Sequence, residues 1–456
     1  MSHLPDGADV LVLGGGLAGC AAALAAAEAG RSVILLEGES EVGGSTVLSA
    51  GLSAFAGTEE QAELGIQDST ELLKQDILHT GQWVNDPALV ELYAQHQLAT
   101  YRWLKSLGIR YRGVHPGAGQ SVPRSHPTDP ATLVHTLLAR AVDHGATVVT
   151  RARAQRLITE AGHVGHVDVD GRRVAAAAVV LTTGGFSRNS ELLARFAPRM
   201  RQAVRGGGAG SRGDGLLMAW QLGAGFVDTP YISGTYGIYP HPHPGEAGTG
   251  VLAVYLGAVA VNAEGNRFID ESLPYKVIGD ASLGQPGGIT YQIFDATVRA
   301  AADPDVPIYD LAARERNGLL VRADTLADLA RQLGIPAGPL EDTIARYNLT
   351  VSTRQPDEFG RRTLCGGFGT PVPIAEPPFF AQPSSSVVLA TYCGLTINTD
   401  CEVLDVFGEP IGGLLAAGEV IGGFHGAGYV TGTSIGKAAV LGRLAGQRAA
   451  HLAANR

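Results

Sequence analysis

The chain is poor in cysteine and lacks the cysteine patterns that bind metals or haem. Its four cysteines, Cys20, Cys365, Cys393 and Cys401, show neither the spacing of a zinc site nor a haem-attachment motif. We therefore predict no metal site, and we expect the chain to reside in a reducing, cytoplasmic compartment.

Positive charge is also scarce. The formal net charge is −10, and the 34 lysines and arginines are dispersed rather than gathered in one region. Nucleic acids and anionic membrane surfaces are attracted by basic patches, so we expect neither as a partner.

Long apolar runs are missing as well. No stretch approaches the roughly 18 residues needed to cross a bilayer, and the polar residues 1–9 have the features of neither a signal peptide nor an anchor. With 456 residues, 45% of them hydrophobic, the chain can bury a large core and would normally divide into two domains. Its 62 glycines follow no fixed period and cluster between apolar strands, which is typical of an α/β cofactor-binding fold.

A dinucleotide-binding unit is predicted at residues 9–37, DVLVLGGGLAGCAAALAAAEAGRSVILLE. The segment has the pattern of a strand, a glycine turn, an alanine-rich helix, a second strand and a terminal acid. Gly14 permits the tight turn, Gly16 lets the backbone approach a pyrophosphate, and Gly19 lets the helix lie close to the strand. Glu37 then stands where a carboxylate can accept both hydroxyls of an adenosine ribose.

Small and hydroxyl-bearing residues follow at 38–58, where the chain would have to pass close to a bulky ring system. From this point the sequence resembles the fumarate reductase and 3-ketosteroid dehydrogenase superfamily of FAD proteins. The resemblance covers nearly the whole chain and implies FAD as the cofactor. Matching segments lie at residues 179–189, 210–224, 261–271, 333–348 and 414–446.

The cofactor signals fall in separated parts of the chain, which predicts a discontinuous domain with an insertion. The expected fold is α/β, with a Rossmann-like FAD-binding domain formed by residues 1–228 and 386–456. An α+β substrate-capping domain is expected at 229–385. Helices are predicted around 86–107 and at 325–333 from the spacing and composition of their residues.

A closing helix is predicted to begin after Gly432, with Thr433 and Ser434 as candidate cap residues. Its first amides would point at the flavin. A helix N-terminus stabilises negative charge, which is what a reduced flavin develops on its pyrimidine ring.

The resemblance also implies which residues contact FAD, although Asp214 could instead cap a helix. Some relatives attach FAD covalently through a histidine in the segment after Gly44. This chain has Ser45, Thr46 and Val47 there, so we expect FAD to be bound non-covalently. The implied contacts are Ala18, Glu37, Gly44, Ser45, Thr46, Gly51, Ala154, Gly184, Asp214, Glu419, Ser434 and Ile435.

Fumarate reductases bind a dicarboxylate with arginines and histidines, and the chain departs from that set at four places. Tyr275 and Tyr429 occupy the positions of two arginines, Leu389 that of a histidine, and residues 233–237 that of a His-Pro-Thr segment. We therefore expect the site to lack the positive charge that a dicarboxylate needs.

The two tyrosines resemble those of 3-ketosteroid dehydrogenases and related cyclic-ketone dehydrogenases. A ketone becomes acidic at its α-carbon when donors polarise its oxygen, and the candidate donors are Tyr275 and the amide of Gly432. The candidate base is Tyr429, relaying its proton through Thr431. The reverse assignment of the two tyrosines stays open.

Other side chains have two interpretations. His425 is expected to form an interior or flavin-side hydrogen bond rather than to act as the base. Tyr392 and Cys393 either line the substrate pocket or fill it. Four tyrosines of the capping domain would form an aromatic wall for an apolar ring, or else pack in the core. They are Tyr231, Tyr236, Tyr239 and Tyr255.

The leading hypothesis is FAD-dependent α,β-dehydrogenation of a cyclic ketone, such as a 3-ketosteroid or an oxocyclohexane derivative. Hydride would pass to flavin N5 and a proton to a tyrosine. The electrons would then go to an external acceptor, such as a quinone, a partner flavoprotein or oxygen. The alternatives are an ene-reductase of the fumarate reductase type, acting on a substrate that is not a dicarboxylate, and a non-catalytic flavin or electron-transfer module.

We predict that acid precipitation of the purified protein releases its flavin, because no histidine occupies the position of covalent attachment. The measurement is the flavin absorbance of the supernatant and of the washed pellet. Flavin that remains in the pellet would show a covalent link and contradict the prediction.

Overall fold

The computed structural model describes residues 4–241, 243, 250–355 and 357–456. In chain order, the strands are β1 (Gly7–Leu13), β2 (Val33–Leu36), β3 (Leu52–Ala54), β4 (Ser125–Pro127), β5 (Thr147–Val149), β6 (Ala154–Glu160), β7 (His163–Val169), β8 (Arg172–Leu181), β9 (Val204–Arg205), β10 (Phe226–Val227), β11 (Thr235–Ile238), β12 (Val259–Asn262), β13 (Thr290–Phe294), β14 (Val321–Ala323), β15 (Phe379–Val388), β16 (Gly394–Leu395), β17 (Glu402–Leu404) and β18 (Pro410–Ala416).

The α-helices are α1 (Leu17–Glu28), α2 (Glu59–Glu63), α3 (Thr70–Thr80), α4 (Pro87–Ser106), α5 (Pro130–Asp143), α6 (Ser190–Phe196), α7 (Asp214–Trp220), α8 (Tyr275–Leu283), α9 (Ala296–Ala300), α10 (Leu311–Arg316), α11 (Leu326–Leu333), α12 (Ala337–Thr353) and α13 (Thr433–Ala454). The predicted helices at 86–107 and 325–333 are confirmed as α4 and α11.

The first sheet has eight strands and is the core of the nucleotide-binding part. Its order is β17-β18-β7-β8-β1-β2-β5, and β6 pairs with β7 at the side. Strands β2, β1, β8 and β18 run parallel, and their registers align Leu36, Leu13, Leu181 and Ala416 at one edge. The turns that follow these four strands therefore meet at the same edge, where open α/β sheets bind ligands. The predicted Rossmann-like α/β fold is confirmed.

Helices α1 and α13 cover one face of this sheet and pack directly against each other. All residues of α1 except Glu28 are buried, which an alanine-rich helix allows because no side chain keeps its neighbours at a distance. Helix α13 places glycines at this contact. A Cβ atom at Gly442 would lie 2.5 Å from the carbonyl oxygen of Ala18, and one at Gly446 would collide with that of Ala22. The first and last parts of the chain are joined in this way.

The second sheet has six strands and carries the inserted part of the chain. Its order is β11-β15-β13-β12, with β14 and β9 also paired to β15. Helix α8 packs on β11 and β15. Strand β9 pairs with the end of β15, at Val387 and Val388, so this sheet also receives a strand from the first part of the chain. Two short pairs, β3 with β4 and β10 with β16, complete the strands that the structure describes.

The beginning of α13 differs from the prediction. Neither Thr433 nor Ser434 caps the helix through its side chain, so that prediction was wrong. The N-cap is Gly432, with a φ of 88°, a left-handed conformation that a glycine adopts without a steric penalty. The Thr433 hydroxyl instead donates to the carbonyl oxygen of Val430, at 2.7 Å.

Two further observations concern the predicted compartment and membrane contact. All four cysteines are buried and free of disulfide bonds. Over the described ranges, no helix is both long enough and apolar enough to span a membrane.

We predict that Gly446→Ala destabilises the protein, because its methyl group would meet the backbone of α1, which cannot rotate away. Overpacking of this kind typically costs about 1–3 kcal/mol of unfolding free energy. Gly338→Ala in α12 is the matched control, since nothing lies within 4 Å of a Cβ at that position. Thermal melts of both variants measure the effect, and an unchanged melting temperature in Gly446→Ala would contradict it.

Candidate active site

One continuous cavity of about 500 Å³ lies between the edge of the first sheet and the second sheet. This volume lies within the range of about 300–1,000 Å³ that is usual for ligand pockets. Four of the residues that line it were predicted to be catalytic, and thirteen to bind the cofactor. They are Tyr275, Tyr429, Thr431 and Gly432, and Gly14, Gly16, Ala18, Glu37, Gly44, Ser45, Thr46, Ala154, Gly184, Asp214, Glu419, Ser434 and Ile435.

Gly19 and Gly51 are the two predicted cofactor residues that do not line the cavity. A Cβ at Gly19 would collide with the carbonyl oxygen of Gly14, so this glycine lets α1 approach the turn. Gly51 has a φ of +70°, and a Cβ there would collide with the carbonyl oxygen of Thr128. Both glycines allow close backbone packing behind the cavity wall.

The glycine turn opens the cavity at the start of α1. Gly14 has a φ of +108°, which turns the chain after β1. Gly16 is the N-cap of α1 in an extended conformation without a side-chain cap, and a Cβ there would meet nothing within 4 Å. The space beside the start of α1 is therefore open, which suits a phosphate group.

Glu37 is held at the end of β2 by two amides. Its Oε2 accepts a hydrogen bond from the amide of Gly15 at 2.7 Å, and its Oε1 accepts one from the amide of Glu39 at 2.8 Å. A carboxylate has about four acceptor sites, so both oxygens can still accept ribose hydroxyls. The predicted role of Glu37 in ribose binding agrees with this arrangement.

Arg153 is a residue of this region that sequence reasoning missed. Its guanidinium donates to Asp214 and, at 2.7 Å, to Glu39. Asp214 begins α7 and is not its cap, since Gly213 is the N-cap. The partners are far apart in the chain and Arg153 belongs to no motif, so no local signal could have revealed the cluster.

The walls of the cavity fit FAD. The hydroxyl of Thr46 accepts from the amide of Leu17, at the start of α1, at 3.3 Å, and that of Ser45 accepts from the amide of Gly208 at 3.0 Å. Thr183 and Thr431 carry buried hydroxyls that have no hydrogen-bond partner among the described residues. Such groups are rare in native proteins unless a ligand or water completes them.

A buried acid and a buried ammonium line the cavity near the start of α13. Glu419 accepts the amide of Thr391 at 3.0 Å, and burial raises the pKa of its carboxyl. Burial lowers the pKa of the Lys437 ammonium to about 8, against the opposing effects of Glu419 and Asp228. Lys437 was not among the predicted site residues.

Three tyrosines and a histidine form an aromatic cluster at the substrate end. The ring centroids of Tyr275 and Tyr429 lie 6.1 Å apart, and Tyr392 stacks on Tyr429 at 5.1 Å with an interplanar angle of 28°. His425 lies edge-on to Tyr392 at 4.8 Å. Tyr275 comes from α8, whereas the other three come from loops of the first domain, so the cluster joins the two parts of the chain.

Hydrogen bonds differ between the two predicted catalytic tyrosines. The Oη of Tyr429 accepts the amide of Gly432 at 3.2 Å. Burial raises the pKa of Tyr429, but Ser434, the Gly432 amide and Tyr275 oppose the rise. Burial raises the pKa of Tyr275 well above its usual value, and the nearby hydroxyl of Thr431 moderates this only slightly. The phenolate is thus better stabilised at Tyr429.

The contacts of Thr431 and Gly432 differ from those predicted for them. The Thr431 hydroxyl lies beside Tyr275 and makes no hydrogen bond of normal length to a described residue. A proton relay from Tyr429 to Thr431 would therefore pass through Tyr275. The Gly432 amide, expected to polarise a ketone, already donates to Tyr429.

His425 and Cys393 lie outside the cavity wall. His425 is buried among the rings of Phe424, Tyr392 and Tyr429, and burial lowers the pKa of its imidazole well below the usual value. An imidazole that stays neutral in this way agrees with an interior role. Cys393 packs into the core, whereas Tyr392 lines the cavity.

The four tyrosines of the capping domain do not together form the predicted aromatic wall. Of the four cap tyrosines, Tyr236 alone lines the cavity, and its hydroxyl pairs with Thr290 at 2.9 Å. Tyr255 donates to the carbonyl oxygen of Leu273 at 2.7 Å, inside the cap. Core packing prevails because a buried phenol must find a partner, and the cap interior supplies it.

A buried lysine, Lys276, lies behind the cavity wall beside the aromatic cluster. Lys276 follows Tyr275 in α8 and is 5% exposed. Its Nζ donates to Oγ1 of Thr235 at 2.6 Å and lies 4.6 Å from the ring centroid of Tyr392. Burial lowers the pKa of Lys276 to about 7. The lysine was missed because only the positions of the family arginines were compared.

Comparisons with known proteins agree with this site. The chain matches the FAD binding domain family over residues 9–435. It is 34% identical, over 98% of its length, to a cytochrome-type fumarate reductase of Shewanella frigidimarina, 77% of which is covered. The open conformation of a flavocytochrome c3 fumarate reductase superposes with a TM-score of 0.82 at 32% identity, covering 98% of this chain and 79% of that one. A 3-ketosteroid-Δ4-(5α)-dehydrogenase of Rhodococcus jostii RHA1, in complex with 4-androstene-3,17-dione, superposes with a TM-score of 0.77 at 26% identity, covering 99% and 98%.

We predict that Gly16→Val yields folded but colourless protein. The extended backbone at Gly16 accepts any side chain, and the valine would occupy the open space before α1 where the pyrophosphate is expected. Flavin absorbance per protein and the melting temperature of flavin-stripped samples measure the two effects.

Gly165→Ala is the control, because a Cβ there also meets nothing within 4 Å and the residue does not line the cavity. It should remain yellow. A Gly16→Val protein that binds FAD as tightly as the wild type would refute the predicted location of the phosphates.

Proposed function

The chain belongs to the FAD binding domain family and is an FAD-dependent oxidoreductase acting on CH–CH groups, and from that premise we propose that it introduces a double bond α,β to the carbonyl of a cyclic ketone. The observation that carries the proposal is a pair of tyrosines, the half-buried Tyr275 and the buried Tyr429, which line one cavity beside the expected flavin site. Relatives that are themselves reductases argue against the hypothesis of a non-catalytic flavin module.

Bound FAD would supply the two-electron acceptor. The predicted cofactor residues that line the cavity, among them Gly14 and Ile435, would hold it. In the proposed reaction, the C–H bond at the α-carbon breaks and its proton goes to a tyrosine. The C–H bond at the β-carbon breaks and its hydrogen leaves with the electron pair to the cofactor. The C=C bond forms between the two carbons, and an external acceptor later removes the two electrons.

We assign the base to Tyr429 and the carbonyl donor to Tyr275. A phenol with an ordinary pKa near 10 can accept a carbon-bound proton only as its phenolate, so the tyrosine whose phenolate is better stabilised suits the base. Tyr429 has the amide of Gly432 and Ser434 around its oxygen. Tyr275, with its strongly raised pKa, remains protonated and is suited to donate to an oxygen.

A second candidate is an ene-reductase, which adds the same proton and electron pair to a conjugated double bond. The sequence relatives favour it, since they include a urocanate reductase of Eggerthella lenta that is 32% identical over 98% of this chain and 75% of its own length. The same tyrosines would serve in both directions. Anaerobic mixing separates the candidates: saturated ketones should bleach oxidised FAD, whereas an ene-reductase requires reduced FAD to be reoxidised by an enone.

We predict that Tyr275→Phe and Tyr429→Phe each slow anaerobic flavin reduction by a ketone substrate by about 10²–10⁴-fold, the usual contribution of a general acid or base. Each change removes only a hydroxyl, so flavin content and melting temperature should stay close to wild type. Stopped-flow absorbance measures the rate. The double variant should lose less than the product of the single losses, because the groups act on one transition state.

Thr431→Val serves as the matched comparison, since it removes a hydroxyl that lies beside Tyr275 and has been assigned neither role. Its loss should be smaller than that of Tyr429→Phe. Near-normal rates of flavin reduction in both tyrosine variants would contradict the proposed roles of Tyr275 and Tyr429.

A further inference from the structure

In the proposed reaction, the carbonyl oxygen of the substrate still lacks a second hydrogen-bond donor. Oxyanion sites usually offer at least two donors to the oxygen that gains charge. Tyr275 can supply one. The other expected donor, the amide of Gly432, is already bonded to the Oη of Tyr429 at 3.2 Å. A second donor has to come from another wall of the cavity.

Thr235 and Lys276 form a polar pair on the cap side of the same cavity. Thr235 lines the cavity and is half-buried, whereas Lys276 lies behind it. The Nζ of Lys276 donates to the Oγ1 of Thr235 at 2.6 Å and faces the carbonyl oxygen of Ser233 at 3.4 Å. Its remaining side faces the ring of Tyr392, at 4.6 Å from the centroid. Each of the three ammonium hydrogens therefore has a group to point at.

The hydrogen of the Thr235 hydroxyl is left to point elsewhere. When Lys276 is protonated it has no acceptor, so Oγ1 is the acceptor in this pair and its own O–H must donate to a different group. Among the residues that the structure describes, Oγ1 has no second hydrogen-bond partner. The side of Thr235 that is not buried faces the cavity. Lys276 thus fixes Thr235 as a donor toward bound substrate.

We infer that Thr235 binds the carbonyl oxygen of the substrate and stabilises the enolate that forms on it, with Lys276 as the positioning residue that polarises this hydrogen bond. The inference rests on the proposed function, because it names the group that holds the reacting oxygen. It assigns the oxygen to a site beside α8 and β11, which carry Lys276 and Thr235.

The surroundings of Lys276 suit this role. Nothing among the described residues forms an ion pair with it, so its charge is available to the hydroxyl that it holds. Asp280 and Glu419, at longer range, favour the charged form, while burial disfavours it and lowers the pKa of the ammonium to about 7. Hydrogen bonds that involve an ionised group are shorter and stronger than neutral ones. An enolate oxygen near Thr235 would reinforce the charge on Lys276.

The test uses p-nitrophenol, whose phenolate resembles an enolate and is distinguished from the phenol by its absorbance. FAD-loaded protein is titrated at a pH below the pKa of free p-nitrophenol, and difference spectra report the affinity and the ionisation of the bound ligand. We expect the wild type to bind the phenolate. Thr235→Val, which replaces the hydroxyl by a methyl group, should bind it at least tenfold more weakly.

Thr235→Ser is the matched control, since it keeps a hydroxyl for Lys276 to hold and should retain phenolate binding within a few-fold. Lys276→Met keeps the length of the side chain but not the charge, and should weaken phenolate binding in the same direction as Thr235→Val. When the ligand is a ketone that the wild type oxidises, Thr235→Val should slow flavin reduction by about 10²–10³-fold, the usual effect of losing an oxyanion donor. Flavin content and melting temperature check that each variant is folded.

Two outcomes overturn the inference: wild-type protein that does not bind the phenolate, or Thr235→Val and Lys276→Met proteins that bind it as tightly as the wild type. Because ligand binding needs no turnover, failure of the proposed function is seen separately. If no ketone or enone reacts with the flavin but phenolate binding still depends on Thr235, the oxygen site stands and the reaction does not.

Discussion

The contact between helices α1 and α13 is the constraint on which the rest of the structure depends. Their backbones approach so closely that a Cβ at Gly442 or Gly446 would meet the carbonyl oxygens of Ala18 and Ala22. This approach brings the starts of both helices, at Gly16 and Gly432, to one cavity. Two helix N-termini at one site provide partial positive charge, which suits an anionic cofactor. Looser packing would separate them.

The substrate end depends on a different balance, between aromatic burial and a few charges. Tyr275, Tyr392 and Tyr429 pack as rings, and burial makes each phenol harder to ionise. The low dielectric that imposes this cost also strengthens every hydrogen bond made there. Lys276 sits against this cluster rather than in water, so its charge acts on the hydroxyl that it holds and on the neighbouring ring.

Much of the nucleotide site could be predicted because its signals are local. A glycine turn, its helix and an acid at the end of the next strand are read within residues 9–37, and the structure places Gly14, Gly16 and Glu37 around the cavity. Arg153 and Lys276 escaped prediction, because their partners come from distant segments and a lone basic residue in sequence is indistinguishable from a solvated one. The cap of α13 was misjudged because Thr433 has a capping side chain, whereas the left-handed turn required Gly432. The relation of Thr431 to Tyr275 depends on how two sheets meet, which no local pattern records.

The burial of α1 has a consequence for the order in which the protein assembles during synthesis. Helix α1 is buried on all sides, yet α13, which covers much of it, is the last helix of the chain. A ribosome therefore releases an alanine-rich apolar helix long before its covering partner exists, and contacts at this separation form slowly. Until translation reaches α13, the nascent chain has to keep that surface from self-association, by chaperone binding or by provisional packing. Closure of the nucleotide-binding domain therefore has to wait until α13 has been synthesised, and a transcript truncated before residue 433 would encode a chain that leaves this face of α1 uncovered.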